Sequence, residues 1–349
     1  MSEIGLGCRG EGTGMNLHEP VNDTAYILAS LAKKFALLPR SFMLTSLEIN
    51  GVIPGKRFVY LGDGESLSYF RRILAAKDED CSAAKVPLWR LWNEFRRWSS
   101  PDTLLCLEIN RLLRPMIPEG GLLTYPWIRQ RAYLNSSEYR KYRWKIEKNG
   151  RKTRERNYLF RLVNDCESVE SFYEELYIPY ISLRFGDAVH LRSLGEFKRW
   201  VGAGFLLQVF HGDIWVAGVI CRLRKGELSA LALGHLPEER HPLSFGALSA
   251  AYTFMFHYAA EHSLNCVDLL RSKPHGDDGV FRHKRNWGAR AEIDLWPHTA
   301  IRFFLPDGFH VPPSLEKVLI WDGTEFAEMG ELLQRKLIGR GDPSAVRQD

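Results

Sequence analysis

Between Gly204 and Ala289 the apolar and polar positions change period in a readable order. Phe205–His211, Ile214–Leu223 and Glu227–His235 are apolar runs of strand length, separated by Gly212-Asp213 and Lys225-Gly226. Both dipeptides suit tight hairpin turns. A loop over Pro237–Phe245 follows, and Gly246–His262 then carries Ala250, Ala251, Phe254, Tyr258 and Ala259 at helical spacing. Asn265–Leu270 reads as a buried strand, Arg271–Gly279 as a polar loop, and Phe281–Trp287 as roughly two helical turns. The pattern predicts three meandering strands, a helix and a fourth strand, closed by Phe281-Arg282-His283-Lys284-Arg285-Asn286-Trp287-Gly288.

Upstream, Asp23–Leu37 is predicted as a helix capped by Asn22 or Asp23, and Phe58–Leu61 as a strand. The strand runs into Gly62-Asp63-Gly64-Glu65 and a helix over Ser66–Ala76 with Leu67, Phe70, Ile73 and Leu74 on one face. Strand, G-x-G and helix can cradle a phosphate. The third glycine is missing and no acidic residue follows at the expected place, so a tight turn competes with a nucleotide or S-adenosylmethionine site. Leu88–Trp98 reads as a helix with Trp89, Trp92 and Phe95 at core spacing, Thr103–Ile109 as a buried strand and Leu122–Ile128 as another. Farther on come a strand at Asn157–Val163 and a helix at Val169–Tyr177, capped by Asp165 or Ser168 and interrupted at Pro179. A turn at Phe185-Gly186, a helix at Leu194–Val201 and late strands at Ala289–Trp296 and Ala300–Leu305 complete the pattern, with a frayed tail after Leu337.

Length sharpens this into roughly two domains for 349 residues. A hydrophobic fraction of 45% and a charged fraction of 26% are those of an ordinary globular chain. The net charge of +5 favours anionic partners modestly. The basic excess is local: Arg129–Arg161 holds twelve Lys/Arg against three Glu, interleaved with Tyr133, Tyr139, Tyr142, Trp144 and Tyr158. Such a stretch is either a solvated helix between domains with its aromatics packed inward, or a groove for an anionic ligand or nucleic acid. Six cysteines lie scattered without a C-x-x-C pair, so metal-ligand spacing is absent. Cys106, Cys166, Cys221 and Cys266 sit in or beside apolar runs and read as buried thiols of a reducing compartment. Residues 1–20 hold five glycines and no periodicity, which predicts disorder, and Met1–Gly14 lacks the apolar centre of a signal peptide. No run approaches the ~18 apolar residues of a spanning helix. The expected location is cytoplasmic.

Several of these segments together resemble the GNAT acyltransferase superfamily. They are Phe172-Tyr173, Pro179-Tyr180, Arg184-Phe185-Gly186, the strands F-L-L-Q-V-F-H-G-D-I-W-V-A-G-V-I-C, the helix Ala247–His262, the strand V-D-L-L-R-S and the closing F-R-H-K-R-N-W-G-A. More narrowly, the chain resembles the branch with two GNAT-like units, which includes Fem-type peptidyltransferases and BioF2-like proteins. The resemblance covers residues 130–300 best. It implies an α/β fold of two GNAT-like units, each a mixed, mostly antiparallel sheet flanked by helices, with the N-terminal one divergent. The implied organisation is a divergent unit over 21–155, an acyltransferase unit over 156–335 and a flexible tail over 336–349.

The implied activity is bacterial N-acyl transfer onto an amine of an amino sugar, peptide or cell-envelope precursor. The donor is acyl-CoA, or alternatively an aminoacyl-tRNA or acyl carrier, with no metal. By position in the family pattern the acyl carbonyl lies against Glu227–His235, where Leu233 falls. The pyrophosphate loop is Ser244, Phe245, Gly246 and Ala247, in a degraded form of the usual glycine-rich motif. His235 is a candidate general base at a strand end. Asp268 is a mid-strand carboxylate that needs a partner such as Arg271 or Lys284. Lys284 can neutralise a donor phosphate or a tetrahedral oxyanion. Arg184, Arg271, His283 and Trp287 are the candidate substrate contacts. No Ser-His-Asp or Cys-His set has workable spacing, which leaves direct attack by the amine. The rival reading is a non-catalytic module that binds RNA or another polyanion through 129–161.

Overall fold

The computed structural model describes residues 23–53, 55–185, 191–237, 244–306 and 308–339. The disorder expected over 1–20, Gly186 of the expected turn and most of the Pro237–Phe245 loop lie outside them. The chain opens with α1 (Asp23–Leu37), β1 (Met43–Ile53), β2 (Lys56–Gly62), α2 (Leu67–Ile73), β3 (Cys81–Pro87), α3 (Leu91–Trp98) and β4 (Thr103–Asn110). Next come β5 (Leu122–Thr124), β6 (Ile128–Tyr133), α4 (Ser137–Glu155), β7 (Tyr158–Val163), α5 (Cys166–Ser171), α6 (Ile178–Phe185) and α7 (Leu194–Val201). The expected meander is β8 (Gly204–His211), β9 (Ile214–Arg224) and β10 (Glu227–His235), followed by α8 (Ser244–Glu261), β11 (Cys266–Ser272) and α9 (Gly279–Arg285). β12 (Arg290–Ile293), β13 (Thr299–Phe304), α10 (Pro313–Glu316), β14 (Leu319–Trp321), β15 (Phe326–Glu328) and α11 (Met329–Gly339) complete the chain.

The fold is α/β, with two mixed sheets flanked by helices. One has eight strands in the order β15-β14-β5-β13-β4-β2-β1-β3, the other seven in the order β12-β6-β11-β10-β9-β8-β7. Two compact units emerge, and neither is a simple half of the chain. A central-segment unit holds residues 130–270 and 283–290; a flanking-segment unit holds 23–129, 271–282 and 291–339. The organisation expected from the resemblance, with a single boundary between 155 and 156, does not coincide with these units. β13, β14 and β15 pair into the sheet of β1–β4, which returns the C-terminal segment to the first 129 residues.

Local chemistry explains the meander of the central-segment unit. Lys225 and Gly226 both have positive φ, at 45° and 75°, as a type I′ turn requires. Val216–Cys221 is buried on both faces, and α8 is buried around most of its circumference through Ala247, Ala250, Ala251, Phe254, Met255 and Ala259. Pro179 does not end its helix. A π-helical turn over Phe172–Tyr177 precedes α6, widening the ladder just where Pro179 has no N–H to give. That turn packs directly on β10: a Cβ on Gly234 would lie 2.7 Å from the Leu176 carbonyl carbon and oxygen.

In the flanking-segment unit, alternate residues of β2 and β4 feed two cores. Phe58, Tyr60, Leu104 and Cys106 join one; Val59, Leu61, Leu105 and Leu107 join the other. Both faces are covered, so these strands read as unbroken apolar runs. One expectation fails here. Trp89 and Trp92 are 76% and 47% exposed; the buried stripe is Leu88, Leu91 and Trp98, with Phe95 half-buried. A 3-10 turn over Leu88–Arg90 shifts the phase ahead of α3. In the central-segment unit, Cys166 is exposed, because it opens α5 rather than extending the apolar strand before it.

Candidate functional site

β10 and β11 run parallel, but they pair only over Glu227↔Cys266, Leu228↔Val267 and Ser229↔Asp268. Beyond Ser229, β10 continues to His235 paired on its other edge to β9, with a register irregularity between Ala230 and Ala232. On β11, Leu270 adopts φ +60°, a costly conformation for a branched side chain. Asp268 is fully buried, and its Oδ1 accepts the Leu270 N–H at 2.9 Å. The carboxylate thus takes a backbone donor at the point where the strands part. The result is a wedge whose β10 wall includes Leu231–Gly234, with Leu233 half-buried.

Side chains from α6, β10, α8 and α9 collect at the end of β10. The His235 ring lies 4.7 Å from that of Tyr180, and Arg184 donates to the Tyr180 hydroxyl. His235 Nδ1 stands 2.6 Å from the Leu236 carbonyl oxygen. A carbonyl only accepts, so Nδ1 holds the proton and, in the neutral ring, the lone pair is on Nε2. Tyr252 stacks on Trp287 at 5.3 Å and meets the His283 ring edge-on at 4.9 Å. Burial, then the charges of Lys284 and Arg184, push His283 down to about 4, so this imidazole is neutral across the physiological range. Burial also raises the Tyr252 hydroxyl, opposed by the charge of Arg184. Lys284 itself is only 7% exposed.

The expected site residues His235, Arg184, His283, Lys284 and Trp287 therefore meet, with Tyr180 and Tyr252 added to them. Trp287 is at the same time core, stacked between Tyr252 and Phe256. Arg271 does not join this group; its guanidinium pairs with Asp294 and covers the Trp296 ring.

The expected phosphate loop is described only from its helical end. Ser244 and Phe245 open α8, and Ala247 is buried. At Gly246 the surroundings are tight: a Cβ would run into an Arg156 guanidinium nitrogen and stand 2.8 Å from the Tyr158 hydroxyl. The Gly246 N–H donates to that hydroxyl. One of the helix's orphan amides is thus used internally, and the Arg156 guanidinium stands beside the start of α8.

A second polar cluster, in the flanking-segment unit, stands where the sequence pattern suggests a tight turn or a nucleotide site. Glu108 is fully buried in β4, and its carboxylate accepts from Tyr60 Oη at 2.5 Å, Ser66 N–H at 2.9 Å and Ser66 Oγ at 2.8 Å. The Thr299 hydroxyl lies 2.9 Å from Glu108 and 3.1 Å from Glu65. His298 faces Asp63 through Nε2 at 3.0 Å and Glu65 through Nδ1 at 3.1 Å. Burial, followed by the charge of Asp63, raises Glu108 to about 7. Nearby, Lys273 lies 3.8 Å from the Trp127 ring centroid and is pushed down to about 8, chiefly by burial. The Ser66 amide, where a phosphate would bind ahead of α2, is already taken by Glu108. A lone acidic residue inside the apolar run Leu104–Ile109 is the one signal of this cluster that the sequence carries.

Among the described residues, no group of three or more His, Cys, Asp or Glu is arranged to hold a metal ion, and no helix is long and apolar enough to cross a membrane.

No family model matches the chain, and no curated protein matches it. Solved structures similar in shape include FemX, at 11% identity and a TM-score of 0.38, over 72% of this chain and 81% of that one. L-PGS from Bacillus licheniformis is 9% identical with a TM-score of 0.37, over 84% of this chain and 95% of its own. A GCN5-related N-acetyltransferase from Kribbella flavida is 13% identical with a TM-score of 0.27, over 82% and 96%. Likeness this loose carries no weight for the site, whose chemistry rests on its own residues.

Proposed function

We propose that the central-segment unit is a GNAT-type N-acyltransferase that moves an acyl or aminoacyl group from a thioester donor to an amine. The observation that carries this reading is the wedge between β10 and β11, with His235 and Lys284 in the group of side chains at the end of β10. The acyl carbonyl lies along the β10 edge near Leu233. His235 Nε2 takes the proton as the amine nitrogen bonds to the carbonyl carbon; the C–S bond then breaks, and the thiolate leaves to be protonated. Lys284 faces the negative charge of the tetrahedral intermediate, Arg184 and His283 contact the acceptor, and Asp268 is a positioning residue that keeps β11 turned away from β10. Arg156, with Gly246 and Ala247 at the start of α8, serves the donor's phosphates. The acceptor is an amine of an amino sugar, peptide or cell-envelope precursor.

The experiment is a thermal-shift series with acetyl-CoA, coenzyme A and charged tRNA, followed by turnover of Lys284→Met and His235→Gln. A shift with acetyl-CoA that Arg156→Ala weakens is the expected result. Response to charged tRNA alone overturns the thioester donor, and unchanged turnover in both variants overturns the catalytic placement.

One observation favours a polyanion as a second ligand. α4 exposes Arg140, Lys141, Arg143, Lys148, Arg151, Lys152 and Arg154, together with Trp144 at 57% exposure. Tyr139 of the same helix packs inward on Phe256 at 5.8 Å. RNA binding with a steep salt dependence, removed by reversing charge at Arg151, Lys152 and Arg154, is the expected signature.

A further inference from the structure

In the flanking-segment unit, a cavity of about 220 Å³ is lined by Lys34, Arg111, Arg114 and Arg302 among apolar walls that include Leu31, Ile117 and Tyr125. Among the described residues no carboxylate lines it. The four cations come from three separate elements. Lys34 projects from α1, Arg302 from β13, and Arg111 and Arg114 from the 3-10 turn Arg111–Met116. Three residues per turn put positions 111 and 114 on the same side of that turn. The Lys34 side chain is only 7% exposed overall, and it lines the cavity rather than being sealed in the core. Four cations around one cavity without a carboxylate among them repel one another, and an anion entering the cavity relieves that repulsion. Burial and then the Arg111 charge depress the basicity of Lys34, with Asp294 opposing. The Asp294 carboxylate is engaged by Arg271, and its backbone oxygen takes Arg111 Nη1 at 2.9 Å. Arg302 gives one Nη1 bond to the Gly120 oxygen. A guanidinium has five donors, so both arginines keep N–H groups for a ligand.

We infer that this cavity binds a small amphipathic anion, with a phosphate or carboxylate head held by Lys34, Arg111, Arg114 and Arg302 and a short apolar or aryl body against Leu31, Ile117 and Tyr125. Its volume lies below the ~300 Å³ where drug-sized ligand pockets begin, which limits the body to a few carbons or one ring. The site belongs to the flanking-segment unit and does not depend on the acyl-transfer reading.

The test is calorimetry and thermal shift on the full chain with inorganic phosphate, phenyl phosphate and benzoate. Phenyl phosphate or benzoate is expected to bind more tightly than inorganic phosphate, and whichever of the two binds better identifies the head group. Lys34→Met is expected to weaken binding by about tenfold or more. The same variant should melt slightly higher than wild type without ligand, because the repulsion between Lys34 and Arg111 has gone. Arg114→Ala, at an exposed position, should also weaken binding, and it guards against a folding defect in the first variant. No binding by either aryl anion overturns the inference. So does equal binding by wild type, Lys34→Met and Arg114→Ala, or inorganic phosphate binding as tightly as phenyl phosphate.

Discussion

Each unit contains a parallel strand pair, and the two pairs end differently. In the flanking-segment unit, β2 and β4 stay paired over six positions, from Arg57↔Thr103 to Gly62↔Glu108. At the end of that seam the protein's own Glu108 carboxylate satisfies the Ser66 amide ahead of α2. In the central-segment unit, β10 and β11 pair over three positions and then part, and the carboxylate at the last pair, Asp268, turns to a backbone amide of its own strand. One carboxylate lies at the end of a seam that stays closed and the other at the pair where a seam parts. The same parallel pairing runs the length of the seam in one case and leaves a wedge in the other.

The largest effect is expected from the closed seam. Glu108→Leu strands the Tyr60 hydroxyl, the Ser66 amide and the Ser66 hydroxyl in a buried site, and should cost about 4 kcal/mol in urea unfolding. A loss below about 1 kcal/mol, on the scale of a surface change, would show that the cluster does not hold the seam. Next is the wall of the wedge. Gly234→Ala drives a methyl into the Leu176 backbone and should cost about 2 kcal/mol, with loss of acyl-donor binding if β10 shifts.

The two units should also titrate in opposite senses. Glu108 has a raised carboxyl, so its contribution is complete below the ordinary value of about 4.3 and is lost as pH rises through about 7. His283 is depressed, so its contribution is complete above about 6.5 and is lost as pH falls through about 4. Melting curves from about pH 4 to 8 should show Glu108→Gln removing a fall toward high pH and His283→Gln removing a fall toward low pH. Differences of the same sign would break the comparison. The smallest effect is at the hinge of the wedge: Leu270→Gly relieves the positive φ and should cost little stability or add up to about 1 kcal/mol.

Much of the central-segment unit is legible in the sequence. The apolar runs of strand length, the Lys225-Gly226 turn and the alanine-rich face of α8 each state their local structure in a few residues, and the strands and helix lie within one or two residues of their expected bounds. The flanking-segment unit is harder. β1 and β3 carry exposed polar positions, as in Cys81–Pro87, that blur any alternation and hide both strands. β14, β15 and α11 give no local signal strong enough to place them, although β14 and β15 complete the sheet that begins with β1 at Met43. The candidate site divides in the same way. His235, His283, Lys284 and Trp287 stand out as chemical types beside strand and helix ends. Tyr180 and Tyr252 join the site only through the rings and charges packed around them. Arg271 departs from expectation because adjacency to Asp268 along the chain says nothing about Asp294, twenty-three residues on.

By itself the sequence determined what is local: the hairpin turns, the cap at Asp165, the buried face of α8 and the basic face of α4. These depend on residues within one turn or one strand of each other, whose φ preferences and spacing are visible in order. The tertiary structure alone decided the rest. It divided the chain into two discontinuous units, closed one parallel seam over Glu108 and opened the other at Asp268. It also gathered Lys34, Arg111, Arg114 and Arg302 around one cavity. The physical reason is that a buried charge takes its meaning from its neighbours, and those neighbours are remote in sequence: Glu108 finds Ser66 and Thr299 at separations of 42 and 191 residues.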